Sequence, residues 1–257
     1  MKIGWISGCV VALCSASLAL AEGREPVVLR TSTQILVVTT QDWNGVDGTL
    51  QAYERPHAHK KWKAVGSPIP VVVGKNGLGW GTGVAPDDRR RAASGPIKQE
   101  GDGKSPAGIF RLSTAFGYAE QGQLGWKMPY LSLAPSVECV DDARSKFYNR
   151  VVDRATVVAD WSSSEQMLRP DGLYRWGLMV DHNAEPVAAG GGSCIFIHIW
   201  MGPGVGTTGC TAMAQEHLEE LLARLDPARR PLLVQLPRPQ YKKLRRRWKL
   251  PVLPKQK

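Results

Sequence analysis

The sequence predicts one α+β domain, mostly β and sandwich-like, with a single helix late in the chain. Three observations predict it. Short β-branched runs alternate with Gly- and Pro-containing turns through most of the 257 residues, the pattern of a sheet protein and not of a helical bundle. Only one stretch, residues 218–225, places leucines at helical spacing (Leu218, Leu221, Leu222, Leu225), and Pro227 closes it. Hydrophobic residues make up 43% of the chain, enough for one core in a body of this length.

Residues 1–21 begin with Lys2, continue as an apolar run diluted by Gly4, Ser7, Gly8, Ser15 and Ser17, and end on Ala19-Leu20-Ala21, an A-x-A cleavage pattern. This reads as a secretory signal peptide, so the protein is expected to be exported. The alternative is an uncleaved anchor, since the run approaches the ~18 residues that begin to read as a span. Cys9 has the neighbours of a lipoprotein box but too little apolar chain before it.

Residues 22–70 read as an N-terminal β extension of the same domain, with strands at 27–29, 35–39, 49–53 and 69–73. Turn chemistry at Asp42-Trp43-Asn44-Gly45, Asp47-Gly48 and Gly66-Ser67-Pro68 makes them an antiparallel meander. The alternation from Thr49 to Glu54 gives it one wet and one dry face. His57 and His59 share a polar loop with no third ligand nearby, and neither a metal nor a cofactor is predicted. Residues 74–108 are glycine-rich with a basic patch at Arg89, Arg90 and Arg91, and end on Gly101-Asp102-Gly103-Lys104-Ser105-Pro106 before a strand at 108–112. Between 114 and 180 the chain is aromatic and irregular, the rings serving as core satellites or as a groove wall. Glu165-Gln166-Met167-Leu168 reads as one helical turn, and 173–180 as a strand. His182 follows that strand. It either lines a groove and binds a peptide carboxylate or amide, or bonds its own loop backbone.

The chemistry concentrates in residues 193–213. An apolar run ending in His198 reads as a buried strand, and the turn with Gly202, Gly204, Gly206 and Gly209 returns the chain to Cys210. A thiol with a pKa near ~8.5 is mostly protonated at neutral pH, and a neighbouring imidazole is its usual activator, so Cys210 and His198 are the candidate nucleophile and base. A backbone carbonyl near Ile199 would orient the ring. N–H groups around Thr208, Gly209 and Cys210 would form a nest for an oxyanion, with Gly209 and Cys210 the donors chosen. A helix beginning near Met213 would put its positive end close to the sulfur. The rival assignment is a packed core thiol and a hydrogen-bonded histidine.

His198 followed by Thr207-Thr208-Gly209-Cys210 resembles the signature of the L,D-transpeptidase (YkuD-type) catalytic domain, and Gly101-Asp102-Gly103-Lys104-Ser105-Pro106-Ala107-Gly108-Ile109-Phe110 is similar to that family's Gly-x-x-Thr-Pro-x-Gly-x-Phe segment. The resemblance implies a catalytic domain over 71–236 and acyl transfer through a Cys210 thioester on peptidoglycan stem peptides, in cell-wall crosslinking or remodelling in the periplasm. Thr207 and Thr208 become substrate-binding candidates beside His182. Members commonly have a His before the Gly-Cys and an Arg or Asn two places after it; Thr208 and Ala212 stand there, so those contacts do not carry over. Water as acceptor would give an L,D-carboxypeptidase, and loss of activity a non-catalytic wall-binding protein.

Removing residues 1–21 leaves Cys139, Cys194 and Cys210. In an oxidising compartment two of them tend to pair. A nucleophile must not be consumed by a bridge, so Cys139–Cys194 is the expected disulfide; the alternative leaves all three reduced. Residues 237–257 form a tail with nine Lys or Arg and no acid, which leaves the rest of a +10 chain near +1. It reads as a solvated arm or as an amphipathic helix on anionic lipid or wall polymer. Nucleic acid is not an expected partner for an exported protein.

Overall fold

The computed structural model describes residues 25–84 and 93–254; the expected signal peptide at 1–21 and the Arg89–Arg91 patch lie outside them. A helix α1 (Val27–Thr31) leads into β1 (Gln34–Thr40), β2 (Asp47–Glu54) and β3 (Lys63–Val72), then β4 (Leu78–Trp80) and the long β5 (Ser105–Gly117). β6 (Tyr130–Ser132), β7 (Val137–Val140), β8 (Val151–Asp153) and β9 (Ser164–Gln166) follow. The chain finishes with β10 (Trp176–Val180), β11 (Phe196–Ile199), β12 (Thr211–Met213), α2 (Gln215–Arg224), β13 (Leu232–Pro237) and α3 (Arg238–Arg245).

The domain is mostly β, as composition and turn spacing predict, but it is not a sandwich. The main sheet runs β10-β11-β12-β3-β2-β1-β13-β5, and β5 pairs β10 as well, so it closes on itself like a barrel. Closure is possible because β5 is 13 residues long: its first half pairs β13 and its second half pairs β10. β7, β8 and β9 form a separate small sheet.

β1, β2 and β3 make the expected antiparallel meander. Its wet-and-dry alternation breaks at Gln51, where the β2–β3 register slips; the buried Gln51 amide donates to the carbonyls of Ala52, Val65 and Gly66 and satisfies the slipped backbone. Leu218, Leu221 and Leu222 bury one face of α2 over β10 and β11, each contributing about 1.5–3 kcal/mol.

Three expectations are corrected. Residues 27–29 form α1, not a strand: Leu29 is fully buried, and the Arg55 side chain takes up the carbonyls of Leu29 and Ser32. Packing outweighs the β preference of the two valines. Residues 164–166 form β9, where pairing with β7 satisfies a backbone too short to hold a helical turn alone. The basic tail supplies a further helix, α3. Tyr241, Trp248 and Leu250 are buried in the main core, so the apolar side chains that would have met lipid are covered by the protein itself.

Candidate active site

His198 lies mid-strand in β11, between Gly177 of β10 and Ala212 of β12. The chain leaves β11 and loops through residues 200–209 to re-enter beside it in the same direction, since β11 and β12 are parallel. That register sets Cys210 level with Phe196, whose N–H donates to Cys210 Sγ at 3.3 Å. The thiol in turn lies 3.5 Å from the Cys194 carbonyl.

The backbone of the nucleophile is clamped. Ser105 Oγ donates to the Cys210 carbonyl at 2.7 Å and Thr207 Oγ1 donates to it at 2.6 Å. Ser105 is the first residue of β5 and belongs to the segment 101–110, so that segment is tied directly to Cys210. The loop is held on its other side by Lys75 N–H to the Thr207 carbonyl and Thr207 N–H to the Val73 carbonyl. Only glycine fits at 206 in this pairing, because a Cβ would come within 2.6 Å of Lys75 Cα.

The His198 Nδ1 sits 2.7 Å from the Ile199 carbonyl. A carbonyl only accepts, so the proton is on Nδ1 and Nε2 keeps its lone pair. Burial lowers the imidazole to about 4, against the opposing pull of the Ile199 carbonyl. Burial pushes the Cys210 thiol up to about 12, and the Glu165 carboxylate pushes in the same direction; the Phe196 N–H, the Tyr174 hydroxyl and Lys98 oppose them. The resting pair is therefore a neutral thiol and a neutral imidazole. α2 does not help the thiolate. It starts at Gln215, after β12, on the order of 10 Å of strand beyond the cysteine, and a helix end acts only within about a turn.

Two clefts flank Cys210. One, of about 170 Å³, contains His198, Tyr174, Arg169, Trp200, Thr207 and Thr208; the other, of about 400 Å³, contains Lys98, Glu100, Ser164, Ser193 and Gly209. Cys210, Thr208 and Glu165 line both. The Tyr174 ring meets His198 edge-on at 5.1 Å, and its hydroxyl donates to Glu165 Oε1 at 2.5 Å. Arg169 reaches Glu165 at 3.5 Å and is also paired with Asp171. Glu165 titrates above the usual carboxylate range because it is buried.

The expected residues distribute unevenly. Cys210, His198, Thr207 and Thr208 come together. The Gly209 N–H does not face a reacting group: it donates to Thr207 Oγ1 at 3.1 Å. The N–H groups of Thr208 and Cys210 donate to no acceptor among the described residues. His182 is 2% exposed and lines neither cleft; its Nε2 bonds the Gly191 carbonyl at 2.9 Å and its ring packs on Phe110. Burial lowers it to about 4, so it is neutral. Ala212 is fully buried between strands and faces no cleft. Cys139 and Cys194 are joined by a disulfide that fastens β7 to the entry of β11, and Cys210 is a free thiol. Glu165, Arg169 and Lys98 were not singled out from sequence; nothing local marks them, since loops and the small sheet bring them to the sulfur. No group of His, Cys, Asp and Glu able to hold a metal occurs among the described residues.

The family model of the L,D-transpeptidase catalytic domain (YkuD) matches residues 60–234. No curated protein and no solved structure matches the chain.

Proposed function

The chain belongs to the L,D-transpeptidase catalytic-domain family, which works on peptidoglycan stem peptides in the cell wall, and from that premise we propose that it is an exported acyltransferase with Cys210 as nucleophile and His198 as base. The observation that carries this reading is the convergence of the Cys210 thiol and the His198 imidazole in one cleft, the imidazole tautomer fixed by Ile199.

Cys210 Sγ attacks the carbonyl carbon of the L-to-D peptide bond while His198 Nε2 takes the thiol proton. Because both groups rest neutral, proton transfer accompanies attack and does not precede it. The N–H groups of Cys210 and Thr208 receive the developing oxyanion. His198 returns the proton to the departing amine of the D-residue, leaving a thioester on Cys210. An acceptor amine then attacks the thioester, His198 takes its proton, and the new amide leaves as the thiol re-forms. Water in place of the amine gives a carboxypeptidase outcome. The disulfide supports an oxidising, periplasmic location, in keeping with a signal peptide at 1–21.

The test is incubation of residues 22–257, and of Cys210→Ala, with a disaccharide-tetrapeptide and separately with a carbapenem, followed by intact-mass and product analysis. A covalent adduct on the wild type alone, with release of the terminal D-alanine, supports the reading; crosslinked dimer identifies an amine acceptor and tripeptide identifies water. Folded protein with a titratable Cys210 thiol, no adduct and no turnover refutes catalysis and leaves a wall-binding role.

A further inference from the structure

A cationic cleft lies at the end of the barrel opposite the active site. β3 runs from Lys63 to Val72, and Val72 pairs Ala212, two residues past the nucleophile. A rise of about 3.3 Å per residue puts Lys63 roughly 30 Å from that end. The loop 55–62 that precedes Lys63 and the tail from Arg245 to Val252 meet there and enclose a cleft of about 470 Å³. Lys60 and Lys61 from the loop and Arg245 and Lys249 from the tail line it, against one carboxylate, Glu25, which Lys249 holds at 3.1 Å. Lys60, Lys61 and Arg246 are exposed, and neither these nor Arg245 forms an ion pair among the described residues.

The loop and the tail supply these cations together although they lie more than 180 residues apart in sequence.

We infer that this end of the barrel rests on the surface of an anionic phospholipid membrane, holding the Cys210 clefts roughly 30 Å away from it, toward the wall. Attachment is by charge. Tyr241, Trp248 and Leu250 are committed to the core and insert nowhere. The surface itself does not depend on the acyltransferase reading; only the purpose of the orientation does.

The experiment is sedimentation of residues 22–257, which contain every element described, with phosphatidylcholine vesicles that either include or lack phosphatidylglycerol. Binding is expected only with phosphatidylglycerol, weakening as salt rises. Lys60→Gln/Lys61→Gln on the loop and Arg245→Gln/Arg246→Gln on the tail are each expected to lose on the order of 30-fold in vesicle affinity, about fivefold per cation. Both keep wild-type turnover of a soluble muropeptide, or wild-type thermal unfolding should the protein have no turnover. Equal binding to phosphatidylcholine alone, wild-type affinity in both variants, or competition by inorganic phosphate at constant ionic strength overturns the proposal. Tighter binding to purified sacculi than to anionic vesicles also overturns it, in favour of a wall polymer.

Discussion

Replacing Ser105 by Ala probes how the nucleophile is held. The hydroxyl is fully buried, accepts the Gly74 N–H at 2.8 Å and donates to the Cys210 carbonyl at 2.7 Å. Alanine removes both bonds. The carbonyl keeps Thr207, so its loss is about 1 kcal/mol, whereas the Gly74 N–H is orphaned in the interior at about 1–3 kcal/mol. The expected destabilisation is roughly 2–4 kcal/mol. Thr207→Val likewise removes two bonds, orphaning the Gly209 N–H, and its cost is of similar size. The double variant strips both hydroxyls from one buried carbonyl, so its cost exceeds the sum of the singles. Urea unfolding midpoints of the four proteins measure this, with the rate of Cys210 acylation as a second readout. A Ser105→Ala protein within about 0.5 kcal/mol of wild type, together with a strictly additive double, would refute the clamp.

Four further outcomes are expected. Glu165→Gln removes the carboxylate that pushes the thiol up, so the pH profile of Cys210 alkylation by iodoacetamide moves to lower pH; an unmoved profile rejects the electrostatic link. His182 and His198 both titrate near 4 in the fold against about 6.5 unfolded, so the unfolded chain binds more protons between those values. Stability is therefore full above about pH 6.5 and falls as pH drops toward 4, and His182→Gln flattens that slope in pH-dependent unfolding. Replacing Cys139 and Cys194 by Ala opens a loop of 55 residues and costs about 4 kcal/mol, read from urea unfolding. Gly206→Ala drives a Cβ into the Lys75 backbone and displaces Thr207, lowering acylation with intact far-UV circular dichroism.

Much of the site was legible because its signals are local. An apolar strand ending on His198 and a glycine-rich return to Cys210 are contiguous in sequence, and so are the β-branched runs of the meander. What escaped depends on pairing at long range. Barrel closure rests on β5 changing partners along its length, a property no window of sequence contains. Glu165 reads as helical in isolation and becomes strand because β7 lies beside it. The parallel re-entry at Cys210 separates the sulfur from α2, so the helix-dipole argument fails although the helix itself was recognised. His182 shares its flanking polarity with functional histidines; only burial beside Phe110 reveals a packing role.

The position of β13 bears on how the protein is made. The last strand is wedged between β1 and β5, with Leu232 opposite Ile35. Until the final stretch of chain has emerged, β1 and β5 each present an unpaired edge and the barrel has a missing stave. Joining segments nearly 200 residues apart costs roughly 2–3 kcal/mol more in chain entropy than closing a ten-residue hairpin. A nascent chain thus cannot close its barrel before β13 has emerged, and that strand acts as the latch that completes the fold.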